Sequence, residues 1–218
     1  MNSRPTIHRI FLFSLSLLLL QGKVQAQSLK DFFNDPNTTL FYFGIDFTKN
    51  RVIGDYSASP LDIVARQYTG LNMLMLDESK KYDIKAAYYR TTMNEDLNYV
   101  NKRNESVDPN TILSTNAKDL YRLNQDSINA LIKGYNFGTN KGIGLVIVME
   151  AMSKSDKVAA AWFTLVDIVG KKVLMTERLE GKVGMGFSFR NYWATAIKKM
   201  IDEVEKKKYK EWKGKYGS

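Results

Sequence analysis

The sequence contains no cysteine and a single histidine, His8. That histidine falls in an N-terminal stretch with the marks of an export signal, so residues 27–218 carry neither residue type. Imidazole is the usual general base near neutral pH, and imidazole and thiolate are the usual ligands of zinc and copper. Ser-His-Asp and Cys-His catalysis therefore cannot be assembled from residues 27–218, and haem or iron–sulfur ligation is not expected. Disulfides are excluded too, although an exported protein would be permitted them. Carboxylate, lysine, tyrosine or Ser-Lys chemistry survives, as does a hard cation held by oxygen ligands. No cofactor and no metal is expected.

Phosphate-binding loops are also lacking. The glycine-bearing segment 134–144, GYNFGTNKGIG, has no Gly-Lys followed by Ser or Thr, and a strand follows it where a P-loop needs a helix. Gly184-Met185-Gly186 precedes a helix but lacks the third glycine and the acidic partner of a dinucleotide fingerprint. Close packing of loop against sheet is the expected use of these glycines.

Residues 1–26 read as a signal peptide: Arg4 and Arg9 form a basic start, Ile10 to Leu20 an apolar run, and Val24-Gln25-Ala26 a cleavage site. The apolar run is shorter than the roughly 20 residues a membrane span needs. Without a cysteine there is no cysteine lipidation, so the expected location is periplasmic or secreted and the chain is not expected to be a lipoprotein. The whole chain has 32 basic and 23 acidic residues. Removing Arg4, Arg9 and Lys23 leaves 29 against 23, a net +6 over 27–218. The expected organisation is a signal peptide over 1–26, a single domain over 27–205, and a basic aromatic tail over 206–218.

Hydrophobic patterning predicts an α/β (α+β) domain with a mixed sheet of about five strands and helices packed on it. Thr39–Phe47, Ile143–Ala151 and Val158–Ile168 are almost continuously apolar, the pattern of strands covered on both faces. Val169-Gly170-Lys171-Lys172 supplies a turn with Gly170 free to take positive φ, and Val173–Leu179 alternates like an edge strand. Trp193, Ile197, Met200, Ile201 and Val204 make one stripe of a final helix from Ser188 to about Lys208. Trp193 reads as a core anchor. Ser59-Pro60 opens a helix whose apolar face takes in Leu61, Val64 and Tyr68, with Gly70 expected to bend or end it. Asn124 or Ser127 caps a helix that turns Ile128, Leu131 and Ile132 inward. Tyr82–Thr91 is read as a strand, and Thr92-Met93-Asn94-Glu95 as a capping box opening a helix over about 93–104.

Three acids, Asp46, Glu150 and Asp167, stand near the ends of predicted core strands. If they converge, two of them can serve as a glycosidase dyad or hold calcium; if not, each marks the point where its strand meets solvent. Arg190, at the entry to the last helix, is expected to pair with one of them. Lys206, Lys207, Lys208, Tyr209, Lys210, Trp212 and Lys213 interleave positive charge with aromatics, a pattern that in a cytosolic protein suggests nucleic acid. Export argues against nucleic acid and leaves a frayed helix end, or contact with anionic lipid headgroups, polysaccharide or a protein partner.

The order of a FGIDF strand, GLVIVMEAMSK, the AAAWFTLVDIVGKKVL hairpin and RNYWATAIKKMI resembles a group of small exported proteins of the Bacteroides group, over roughly 39–204. More remotely, the strand–turn–strand–helix ending with Asp167 before the turn is similar to the periplasmic α/β modules of TolB (its N-terminal domain), CsgG and LpoB. The resemblance implies an interaction domain of the envelope and assigns no site residues. The chain lacks the lipobox cysteine of CsgG and LpoB and the propeller of TolB. The expected function is that of a non-catalytic exported envelope protein binding a partner protein or surface polysaccharide, with at most peripheral membrane contact. A carboxylate-dependent hydrolase and a binder of a small apolar ligand are the alternatives.

Overall fold

A computed structural model describes residues 28–218; the expected signal peptide lies outside the described residues. Seven strands form one mixed sheet, five positions wide. β5 (Ile143–Ser153) is its axis, and all eleven of its residues are buried. On one side β5 pairs antiparallel with β6 (Val158–Asp167), and β6 pairs with the edge strand β7 (Lys172–Lys182). On its other side β1 (Leu40–Asp46) and β2 (Arg51–Ile53) lie end to end, both parallel to β5. Two short strands cover these in turn, β3 (Met93–Glu95) beside β1 and β4 (Leu113–Ser114) beside β2.

The three continuous apolar runs are thus the three central positions, as two-sided burial requires. β3 reaches only as far as Tyr42, and two buried amides finish the edge of β1. Asn72 accepts from the Ile45 N–H at 2.7 Å and donates to its carbonyl at 3.0 Å. Asn104 accepts from the Phe47 N–H at 2.7 Å and also donates to the Ile45 carbonyl. These side chains stand where the next strand would be, and pair the Ile45 N–H, the Ile45 carbonyl and the Phe47 N–H in its place.

Helices cover the two faces unequally. The larger core takes α1 (Leu29–Asn34), α2 (Pro60–Asp62) and α3 (Tyr68–Asp77) joined by a π turn, α4 (Ile84–Ala87), and α7 (Phe189–Glu203) and α8 (Tyr209–Tyr216) joined by a second π turn. α5 (Asn98–Glu105) packs beside β1. The smaller face takes α6 (Gln125–Lys133) and the segment after it, with Ile128, Ile132, Tyr135 and Phe137 against Phe43, Val146 and Val148. α6 is capped by Asn124 with Ser127 closing the box. Trp193 is buried against the larger core as expected.

Several expectations are corrected. Tyr82–Thr91 holds a helical turn, α4: Asp83 caps it by accepting from the Ala86 N–H, and Ile84, Ala87 and Tyr88 bury at helical spacing. The Thr92–Glu95 box is instead β3, because β1 needs a neighbour there; the helix starts at Asn98. Gly70 does not end its helix, which runs to Asp77; the irregularity is the π turn Ile63–Gln67. In the β6–β7 turn it is Lys171, at φ 49°, that takes the left-handed conformation, while a Cβ on Gly170 would meet the Asp167 carboxylate at 2.6 Å.

Candidate functional site

Asp46 and Glu150 point to the smaller face of the sheet and have no exposed surface. Asp46 ends β1, where Arg103 of α5 donates to it at 2.9 Å and the Tyr135 hydroxyl at 2.7 Å. Arg103 also lies 4.3 Å over the Tyr135 ring. Burial, then the Asp46 charge, raises the Tyr135 phenol well above its ordinary 10.0. Burial alone would pull the Arg103 guanidinium down, but Asp46 and Tyr135 together hold it above its ordinary value.

Glu150 occupies the point where β5 loses regular pairing on both edges. It sits opposite the gap between β1 and β2 and at a bulge against β6. Three donors fill its coordination: Arg178 of β7 at 2.6 Å, the Leu123 N–H at 2.5 Å and the Trp162 indole at 3.3 Å. Arg178 further donates to the Leu120 carbonyl at 2.7 Å and to Glu180 at 2.6 Å, beneath the Tyr121 ring. Each buried carboxylate thus fastens a loop or helix to the sheet. Asp167 belongs to neither group. It pairs with Ile143 at the start of β5, whereas Asp46 pairs with Val148 and Glu150 lies beyond that. Asp167 therefore lies apart, whereas Asp46 and Glu150 are diagonal neighbours on one face of β1 and β5, each held by its own arginine and further donors. Arg190 does not pair with any of the three acids: its guanidinium rests on Gly70, at the far end of the β6–β7 hairpin from Asp167.

The C-terminal stretch is not a separate tail. α8 continues the last helix and packs on α1. Tyr209 and Trp212, expected as partner contacts, are buried. Tyr209 lies 5.4 Å from Phe33 and accepts from Arg90 at 2.7 Å; the Trp212 indole donates to Glu177 at 2.5 Å. Lys208 is taken by Glu177 at 2.6 Å and Glu211 at 3.0 Å. Lys206, Lys207, Lys210 and Lys213 remain exposed.

A groove of about 510 Å³ lies where β2 and β5 end. One wall is the loop from Asp55 into α2, with Ser57, Ser59 and Asp62; the other is the link into α7, with Phe187, Phe189, Tyr192 and Trp193. Lys154, from the β5–β6 turn, bonds Asp55 at 2.7 Å and Ser57 at 3.2 Å across its floor. Burial pushes the Asp55 carboxyl up, but the bonds from Lys154 and Ser57 and the lysine charge outweigh it and hold the group below its ordinary value. Gly186 brings the link onto the helix so closely that a Cβ would meet Tyr192 backbone at 2.7 Å. Met185 and Phe187 on either side therefore project outward: both are almost wholly exposed, as are Tyr56 at 87% and Leu61 at 72%. Leu61 is thus not on the buried face the sequence predicts. Leu113, also exposed, lines an adjoining recess with Asp55 and Tyr56. The signal for this surface is present in the sequence as large apolar residues inside polar or glycine-bearing loops, where no helix or strand period accounts for them.

No protein-family model and no curated protein matches the chain. Among solved structures, lipoprotein GNA1162 from Neisseria meningitidis aligns over 78% of this chain and 98% of its own, at 14% identity and a TM-score of 0.30. No described helix is long and apolar enough to cross a membrane.

Proposed function

We propose that this is an exported, non-catalytic envelope protein that binds a partner protein through the groove between the Asp55–Asp62 loop and the 186–193 link. The observation that supports the reading is a set of exposed apolar side chains on the segments that form the groove. Phe187 lines it, and Tyr56, Leu61 and Met185 are exposed immediately beside lining residues in the chain. A large apolar side chain left in water forgoes about 1.5–3 kcal/mol of burial. Several gathered around one groove are characteristic of surfaces that another molecule covers, and aromatic residues and methionine are the types enriched there. The two buried carboxylates support the non-catalytic part of the reading, since each is saturated by an arginine and further donors and neither has exposed surface.

A photo-crosslinking residue placed at Phe187 tests this in the envelope of cells expressing the protein. The expected result is a discrete protein adduct, absent when the label is placed at the exposed Val169 on the opposite end of the hairpin, and competed by unlabelled protein but not by a Tyr56→Ser/Leu61→Ser variant. Equal labelling from both positions, or an adduct that is polysaccharide, would sink the reading.

A further inference from the structure

The last helix carries a second surface, distinct from the groove. In α8 the aromatic side chains turn inward and the lysines outward. Tyr209 and Trp212 are buried, and Tyr216 stacks on Phe33 at 6.2 Å. From residue 204 to 216 the chain has six lysines and two glutamates. Glu211 is engaged by Lys208, which leaves Glu205 as the acid of this stretch with no ion pair among the described residues. Lys206, Lys210 and Lys213 are spaced i, i+4 and i+7, so they share one outward face, and none has an ion-pair partner among the described residues. They span roughly 10 Å along the axis, comparable to the Debye length in physiological salt, so one charged surface meets all three together.

We propose that the outer face of the π turn and α8, from Lys206 to Lys213, docks the protein on an anionic lipid surface, with the lysine ammonium groups against headgroup phosphates. The charge complementarity is one-sided and the face is a straight helical stripe, which suits a plane of phosphates. Ammonium groups act as compact point charges, suited to such a diffuse array. The aromatics that would stack on sugar rings, or sink into the acyl boundary, are committed to the protein's own core. Docking is therefore electrostatic and peripheral, without insertion. Residues 189–216 form one continuous helical rod of about 40 Å with the groove at its start. The groove lies at the other end of this rod from the lysines, so none of its lining residues belongs to the docking face.

The test is flotation of the purified protein with vesicles of phosphatidylcholine alone or mixed with phosphatidylglycerol. Binding is expected to the mixed vesicles only, and to disappear near 0.5 M salt, where screening is short-ranged. Replacing Lys206, Lys210 and Lys213 by glutamine should weaken it about a hundredfold, at about fivefold per lysine, while arginine at the three sites retains it. Circular dichroism and thermal melting unchanged from the parent confirm that the glutamine variant folds. A Met185→Ser/Phe187→Ser variant should bind vesicles as the parent does, which separates this proposal from the partner-protein reading. Equal binding to neutral vesicles, insensitivity to salt or to the glutamine changes, or tighter binding to a soluble anionic polysaccharide overturns it.

Discussion

Arg178 on the edge strand reaches past β6 to Glu150 on the central strand, with Nε 2.6 Å from the carboxylate. Glu150 has no exposed surface, so the arginine is what makes its charge tolerable there. Arg178→Met is expected to destabilise the fold by about 3–5 kcal/mol, because an unpaired buried charge remains. Adding Glu150→Gln removes that charge and keeps an acceptor for the Leu123 N–H, so the double variant should recover at least half of the loss. Urea denaturation followed by tryptophan fluorescence measures both. A single variant within about 1 kcal/mol of the parent contradicts the role given to the pair.

Glu177 ties the same edge strand to the C-terminal helix, through Lys208 and the Trp212 indole. Burial pushes its carboxyl up, but the bonds from Lys208 and Trp212 and the Lys208 charge outweigh burial and hold it below its ordinary 4.5. The folded value is lower than the unfolded one, so the stabilisation is complete above about 4.5 and is lost as pH falls through the depressed value. Glu177→Gln should therefore lower the melting temperature at pH 6–7 and converge on the parent below pH 4. A constant difference across that range argues against the carboxylate as its source.

What could be read in advance followed from periodicity. β1, β5, β6, β7, the cap of α6 and the stripe of α7 each declare themselves within a few residues. The stretch from Tyr82 to Glu95 did not. Its local signals, an apolar cluster and a capping-box pattern, suit either state, and the choice falls to β1, whose open edge recruits Met93–Glu95 as a strand. The acids were visible as charges in apolar strands, but their partners Arg103 and Arg178 come from elements that only the tertiary fold brings near. The groove leaves no mark in the periodicity; its signal is that Tyr56, Met185 and Phe187 are large apolar residues that obey no period.

Two glycines separate packing from backbone freedom. A Cβ on Gly181 of β7 would come within 2.0 Å of the Ala196 carbonyl oxygen on α7. Neither backbone can yield cheaply, so Gly181→Ala should prise the helix from the strand and cost at least about 1–3 kcal/mol. Gly214 lies within α8 with nothing within 4 Å of its Cβ position. There Gly214→Ala should stabilise by about 0.5–1 kcal/mol, by removing freedom from the unfolded chain and raising helix propensity. Opposite shifts in thermal melting are the expected signature; equal shifts would show that the α7–β7 approach is looser than the structure has it.

The C-terminal helix also explains why its last part reads as a tail. Trp193, Ile197, Met200, Ile201 and Val204 keep α-helical spacing, which would next bury positions 208 and 211. The buried residues are instead Tyr209 and Trp212, each one place later. The π turn Val204–Lys208 holds the additional residue and restores the stripe to the core. Deleting Lys206 from that turn should let the rod close into a regular α-helix with both aromatics still in place, at little cost in stability. Deleting Lys210, between the two aromatics, rotates Trp212 and Tyr216 by about 100° away from Glu177 and Phe33. Loss of a buried tryptophan's packing costs about 3–5 kcal/mol. The Lys210 deletion should therefore melt well below the Lys206 deletion, with a red-shifted tryptophan emission. Equal melting temperatures would show that the π turn does not set the register of α8.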